Sequence, residues 1–390
     1  MTSLMDRQSK HNRGELLQSA RRIVVKVGSN VLTAPDGLNL NAVQSLSDQI
    51  NRRIEEGMEV VLVSSGAMAS GQKKIGLTRR PDEIPKRQAI AAVGQAGLIL
   101  AYENAFARYN RSVAQVLLTS DDLSGSRRRY LNARNTLYTL LSWQVLPIIN
   151  ENDTVVVEEI KFGDNDNLSA LITLMMNADI LINLTDIDGL YTADPRSEKG
   201  AQLIGEVGAI TSSIEKIAGD IPGALGTGGM TSKIRAARKV TAAGIPMIIA
   251  NGKTPGILDR LASGEAAGTF FTPAKDKLSN RKCWIGFTVK PKGVIKIDEG
   301  AVHAIKENGK SLLPGGIQEI SGEFGLGAPV EVQDAGGRRL AVGLVNYSAG
   351  ELKKIKGLNS SEIRERLGHK PYDEVIHRDN LTVFDHCTTA

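Results

Sequence analysis

A series of short runs is apolar at nearly every position and rich in β-branched residues: RIVVKV (Arg22–Val27), EVVLV (Glu59–Val63), VAQVLL (Val113–Leu118), VLPII (Val145–Ile149), DILINL (Asp179–Leu184) and IPMII (Ile245–Ile249). Runs of this length without alternation predict strands covered on both faces, as in a parallel sheet. Between them lie longer segments with helical spacing of apolar positions: Asn41–Glu56, Gln88–Tyr109, Arg127–Ser142, Leu168–Met176 and Thr231–Ala243. Strand and helix in repeated succession predict an α/β three-layer α/β/α sandwich with a mainly parallel sheet. In such folds ligands sit beyond the carboxyl ends of the strands, so the loops that follow strands are where chemistry belongs.

After about Gly268 the pattern changes. TPAKDKLSNRK is a polar connector, and from Trp284 onward the pieces WIGFTV, GVIKI, PVEVQ and LAVGLVNY are separated by glycine-rich turns. They predict a small, mostly β, barrel-like domain. The expected organisation is a loose polar lead-in at 1–20, an α/β catalytic domain at 21–268, a linker at 269–280, the β domain at 281–376 and a tail at 377–390.

Composition narrows the class. The chain has 390 residues, 41% of them hydrophobic, with 48 Lys and Arg against 43 Asp and Glu for a formal charge of +5. This mild excess suits small anionic ligands and does not require nucleic acid. The cysteines, Cys283 and Cys387, are far apart in sequence, which argues against a disulfide framework or a cysteine metal site. The amino terminus lacks the apolar centre of a signal peptide, and no run reads as long enough to span a membrane. The expectation is a cytoplasmic globular protein.

The candidate chemistry lies in five stretches. LGTGGMTSKIRAARKV (Leu225–Val240) is a glycine-rich loop entering a helix, with Lys233 at the junction and Thr231 or Ser232 able to cap it. Its spacing fits neither a P-loop nor a dinucleotide fingerprint. Glycines and free N–H groups at a helix start make a phosphate cradle, although a flexible surface loop has the same composition. In RIVVKVGSN, Lys26 stands inside a buried strand and needs an anion beside it, because an unpaired buried ammonium costs several kcal/mol. Either a structural salt bridge or a phosphate held with Gly28 and Ser29 would supply one. VLVSSGAM (Val61–Met68) breaks a strand at Ser64-Ser65-Gly66 before a small-residue helix, through close packing or for ligand access. Two acidic loops follow, INENDTV (Ile149–Val155) and KFGDNDNLSAL (Lys161–Leu171), and the second does not fit calcium-loop spacing. Asp164, Asn165, Asp166 and Asn167 exceed what a helix cap needs, and a carboxylate aimed at Lys26 or Lys233 would hold those ammoniums. In LTDIDGLYTADPR (Leu184–Arg196), Asp186, Asp188 and Asp194 suit metal ligation, ribose binding or plain turns.

Taken in order, VVKVGSNVLT, VSSGAMASG, AAVGQAGL, LNARNT, INENDTV, GDNDNLSAL, LTDIDGLYTADPR and GTGGMTSK resemble the amino-acid kinase superfamily, most closely its members that phosphorylate the γ-carboxylate of glutamate. NRKCWIGF, DEGAVHAI and SLLPGGI resemble a PUA domain, so the likeness spans about Arg21 to His377. The resemblance implies ATP-dependent formation of γ-glutamyl phosphate, the first step of proline synthesis. It implies catalytic roles for Lys26, Lys233 and Asp166, the last organising the two lysines. By the same likeness Ser65, Asp153 and Asn165 match glutamate-binding positions. Lys26, Thr185, Asp186 and the run Thr227, Gly228, Gly229, Met230, Thr231, Ser232 and Lys233 match ATP-binding positions. It implies magnesium carried mainly by the ATP phosphates, with no protein metal ligands assigned. It further implies proline as a feedback inhibitor, a homodimer or homotetramer, hand-over of the product to glutamate-5-semialdehyde dehydrogenase, and no membrane association.

The chemistry fits this reading independently. A carboxylate acceptor is already a nucleophile, which suits five histidines (His11, His303, His369, His377 and His386) that all lie outside the motif loops. A sister kinase acting on aspartate, acetylglutamate, carbamate or a nucleoside monophosphate needs the same phosphate machinery and stays open. RNA binding through the β domain is the alternative of another class. Against it, Arg281 to Val375 carries fifteen Lys and Arg and twelve Asp and Glu, a net of only +3.

Overall fold

The computed structural model describes residues 13–34, 37–79, 81–155, 165–219, 229–274 and 280–384. The chain folds as two compact units, Met1–Lys277 and Leu278–Ala390.

The first unit is built on β1 (Arg22–Val27), β2 (Glu59–Ser64), β3 (Val113–Leu118), β4 (Leu146–Glu151), β5 (Ile180–Thr185), β6 (Glu206–Val207), β7 (Met247–Asn251) and β8 (Thr269–Phe271). They form one sheet in the order β3-β4-β2-β1-β5-β7-β8-β6. All neighbours from β3 to β7 run parallel, and β8 turns antiparallel on β7. Strand β1 lies in the middle, with Lys26 opposite Val63 of β2 on one side and Asn183 of β5 on the other. Ile23, Val24, Val25 and Val27 are buried, as a strand covered on both faces demands.

The helices that matter to the site are α1 (Leu40–Glu55), α2 (Ala67–Lys74), α3 (Ile84–Ala107), α4 (Arg127–Ser142), α5 (Asn165–Met175) and α6 (Met230–Ala242). Asn39 caps α1 by accepting from the Ala42 N–H. Helices α2 and α3 cross in backbone contact. A Cβ on Gly71 would lie 1.9 Å from the Ile90 carbonyl oxygen, and one on Gly94 would lie 1.8 Å from that of Ala67. Helix α3 is long and apolar enough by composition to span a bilayer, contrary to expectation. Polar Gln95, Glu103 and Asn104 interrupt its apolar run in the sequence. Its Ile90, Leu98, Tyr102 and Phe106 are buried in the protein core.

The boundaries need correction. Residues 13–19, expected in the loose lead-in, are helical, and Leu17 and Ala20 join the sheet's core. The Arg13 guanidinium lies over the Phe270 ring, 5.6 Å from its centroid. Residues 269–271, expected as linker, are strand β8, whose Thr269, Phe270 and Phe271 are buried.

The second unit holds β9 (Gly293–Ile297), β10 (Ile317–Gly322), β11 (Pro329–Gln333), β12 (Arg339–Leu344) and β13 (Leu381–Val383), in the order β10-β9-β11-β12-β13. Ile295, Ile297, Val330, Val332 and Leu340 fill its core. Strand β13 lies in the segment expected to be a tail, where Leu381 and Phe384 are buried. WIGFTV is not a strand: Trp284–Thr288 forms a π-helical turn. Its apolar residues gather in one local cluster, where Ile285 and Val289 pack with Val342 and Phe384. The apolar run therefore never had to alternate between two faces.

Candidate active site

Three segments distant in sequence meet at the carboxyl edge of the first sheet. Lys26 is the penultimate residue of β1, Asp166 stands in the first turn of α5 and Lys233 in the first turn of α6. Lys26 Nζ donates to Asp166 Oδ1 at 2.5 Å, and Lys233 Nζ to Oδ2 at 3.2 Å. The side chains are only 6%, 8% and 2% exposed for Lys26, Lys233 and Asp166, so none has bulk water as an alternative partner. One carboxylate thus stands between two ammoniums in a buried site.

Two further donors complete the carboxylate. Asn183 Nδ2 donates to Oδ1 at 2.8 Å, and Ser232 Oγ donates to Oδ2 at 2.5 Å. Burial alone would raise the Asp166 pKa. The charges of Lys233 and Lys26 and the donated hydrogen bonds outweigh it and hold the carboxyl well below its usual range. Because the folded-state value is depressed, the resulting stability is full above the unfolded aspartate value of about 4 and is lost as pH falls below it. The gap in melting temperature between the natural chain and Asp166→Asn should therefore narrow from pH 7 to pH 3. A gap unchanged across that interval would contradict the assignment.

A buried polar chain runs beside this cluster. Asn165 Nδ2 donates to Ser65 Oγ at 2.8 Å and to Asn150 Oδ1 at 2.9 Å, and Asn150 Nδ2 donates to Gln95 Oε1 at 2.9 Å. Asn165 Oδ1 is buried with no hydrogen-bond partner among the described residues. Ser65 follows β2, and Gly66 after it adopts a left-handed conformation (φ 113°) that starts α2 without a side-chain cap. Asp153 lies in the turn after β4, the strand that carries Asn150.

The other side of the cluster is the end of β5 and the start of α6. Thr185 Oγ1 donates to Asp186 Oδ1 at 3.2 Å, and Asn30 Nδ2 donates to Asp186 Oδ2 at 2.9 Å. Burial raises the Asp186 pKa, but the bonds from Asn30, its own backbone and Thr185, with the Lys253 charge, bring it below the ordinary value. Gly229 is the N-cap of α6 and no side chain caps it. Neither expected cap is used. Thr231 Oγ1 donates to the Ala218 carbonyl at 3.2 Å, while Ser232 Oγ turns to Asp166 and the Gly229 carbonyl. The first N–H groups of α6 thus keep no side-chain acceptor among the described residues, the condition for holding an anion. Met230 is buried. Thr227, Gly228 and Asp164 lie outside the described residues.

Asp188 and Asp194 serve the local fold. Asp188 accepts from Asn251 Nδ2 at 2.9 Å, and Asp194 accepts from the Arg196 backbone at 3.0 Å and its Nη2 at 2.8 Å. Among the described residues no three His, Cys, Asp or Glu side chains gather as a metal site.

The sequence reading missed Asn150, Asn183, Gln95 and Asn30. A signal existed for the first two. Asn183 lies inside a run otherwise apolar on both faces and Asn150 directly follows one, and the argument that a buried strand lysine needs a partner applies equally to a buried amide.

Residues 21–251 match the model of the amino acid kinase family, and residues 293–367 that of the PUA domain. The chain is 50% identical to the glutamate 5-kinase of Syntrophus aciditrophicus over 95% of its own length and 96% of that protein's. It is 51% identical to that of Thermoanaerobacter sp. strain X514 over 93% of its length and 98% of the relative's. A solved UMP kinase from Bacillus anthracis aligns with 65% of the chain and 96% of its own at a TM-score of 0.46 and 16% identity.

Proposed function

Because the chain belongs to the amino acid kinase family, in its glutamate 5-kinase branch, we propose that Lys26 and Lys233, bridged by Asp166, hold the phosphoryl group in transit between its two substrates. The chain transfers the γ-phosphoryl group of ATP to the γ-carboxylate of L-glutamate, giving γ-glutamyl phosphate and ADP in proline biosynthesis. The observation that carries the residue assignment is one buried carboxylate shared by two lysines from different elements.

Phosphoryl transfer between two oxygens asks for positioning and charge more than for covalent help. Glutamate's carboxylate attacks unaided, so no base is required. Negative charge on the transferring oxygens and on the leaving ADP oxygen meets the two ammoniums, which Asp166 has fixed in advance at no cost during reaction. Ser65, Asn165 and Asp153 hold glutamate, with the unpartnered Asn165 Oδ1 available to its ammonium. Thr185 and Asp186 lie on the nucleoside side, and the N–H groups at Gly229–Ser232 take the phosphates, with Thr227 and Gly228 assigned to ATP by the sequence likeness alone. Magnesium fits as an ion held mainly by ATP oxygens, where it supplies further charge neutralisation. Proline inhibition at the glutamate site, a dimer or tetramer, product hand-over to glutamate-5-semialdehyde dehydrogenase and a cytoplasmic location complete the proposal. Sister acceptors and RNA binding as the main role are not favoured, since the relatives named as glutamate 5-kinases match across both units.

The test is ADP release from MgATP with glutamate, aspartate, acetylglutamate or carbamate, with hydroxylamine present to trap an acyl phosphate as its hydroxamate. Turnover with glutamate alone is expected, and preference for another acceptor would overturn the substrate. Asn165→Ala should raise KM for glutamate by about 10- to 100-fold, the worth of losing paired buried polar groups. KM for ATP should stay within about twofold, and equal rises in both would remove Asn165 from the glutamate site.

A further inference from the structure

We propose that Asn183 is a positioning residue for phosphoryl transfer: its side-chain amide holds Asp166 in the orientation that bridges Lys26 to Lys233. The inference rests on the phosphoryl-transfer reading of the lysine pair and extends it to a residue outside the motif loops.

Asn183 lies in the middle of β5 and is fully buried. The parallel register sets it opposite Lys26 on β1 and Ile249 on β7. Directly opposed residues share a sheet face, so Asn183 and Lys26 both face α5, and both donate to Asp166 Oδ1, at 2.8 Å and 2.5 Å. Asn183 Oδ1 is buried with no hydrogen-bond partner among the described residues. A leucine has the same number of side-chain heavy atoms without that orphaned acceptor, so packing alone gives no reason for an amide here. What the amide supplies is one N–H aimed at the carboxylate. Its orientation is fixed by the same contact, because the flipped amide would set oxygen against a carboxylate oxygen.

The four donors on Asp166 are arranged two to an oxygen: Lys26 and Asn183 on Oδ1, Ser232 and Lys233 on Oδ2. Without Asn183, the only neutral donor left among the described residues is Ser232, on Oδ2. The carboxylate then tilts toward α6 and draws Lys26 off its line to the transferring group. Displacements of this kind cost rate with little effect on ground-state binding.

Two variants test the idea. Asn183→Leu should lower kcat about tenfold, with KM for ATP and for glutamate within about twofold. Asn183→Asp keeps the shape and adds a carboxyl whose charged surroundings are Asp166, Lys26 and Lys233. Protonated, that carboxyl donates to Asp166 as the amide does; ionised, it repels it. Its kcat relative to the natural chain should therefore rise as pH is lowered from 8 to 6, a trend no merely space-filling role produces. Asn183→Leu with kcat within twofold of the natural chain would overturn the inference, as would an Asn183→Asp profile parallel to the natural one. The natural chain and Lys26→Ala run in the same assay separate the two levels. An inactive natural chain or an active Lys26→Ala sinks the underlying reading. Full activity of Asn183→Leu beside an inactive Lys26→Ala sinks only the role of Asn183.

Discussion

Lys26→Ala lowers kcat by about 10²- to 10³-fold while the protein stays folded, the range found when one preorganised donor to a developing charge is removed. The fold survives because Asp166 keeps Lys233, Ser232 and Asn183 as partners, so its own buried charge is not stranded. Asp166→Ala behaves differently. It strips the shared counter-ion from two buried ammoniums and should cost about 3–5 kcal/mol of stability in addition to activity. Steady-state kinetics with both substrates, paired with urea unfolding of each variant, separates the two effects. A Lys26→Ala enzyme with kcat within tenfold of the natural chain would make the pair a structural salt bridge and nothing more.

Gly94→Ala should destabilise the protein by about 3 kcal/mol or more, at the upper end of what overpacking costs. The added Cβ would sit 1.8 Å from the Ala67 carbonyl oxygen and 2.3 Å from the Gly71 nitrogen. Both are helix backbone atoms and cannot rotate aside as a side chain could. The strain has a direction, because α2 begins immediately after Ser65 and Gly66. Pushing α2 from α3 carries the Ser65 hydroxyl away from Asn165, to which it is bonded at 2.8 Å. Whatever Gly94→Ala protein folds should show a raised KM for glutamate with KM for ATP little changed. An unfolding midpoint equal to that of the natural chain would show that the crossing has slack.

The inner strands of the parallel sheet were legible because they are buried on both faces, so β-branched runs such as RIVVKV cannot be mistaken for amphipathic helix, whereas the outer strand β3, expected to be covered on both faces, leaves Gln115 and Leu117 exposed. Arg127–Ser142 matches its helix to the residue. Legibility failed where neighbours distant in sequence decide the structure. Thr269–Phe271 reads as the start of a linker because three residues carry no periodicity, and only β7 and β6 beside it make it a strand. Residues 13–20 read as solvent-facing until Leu17 meets the core. In the site, Lys26 drew notice because a charge in an apolar strand is costly, whereas Asn150 and Asn183 passed as neutral polar residues. An amide's burden becomes visible only when its partners are known. The caps of α6 went wrong for a related reason: Ser232 has a better acceptor in Asp166, 66 residues away in sequence, than in its own helix.

The sharing of one carboxylate by two lysines also sets a clock. Asp166 is 140 residues beyond Lys26, and Lys233 follows 67 residues later. Strand β1 can be completed only when β5 arrives at its flank. At roughly 5–20 residues per second of synthesis, some 3–13 s separate the emergence of Asp166 from that of Lys233. Through that interval the nascent chain holds half a clamp, and contacts this long-range are slow to close even after release. On the proposed role of the pair, phosphoryl transfer is withheld from any chain that stops short of Lys233, and the appearance of activity would report that the first unit has been made to its far side.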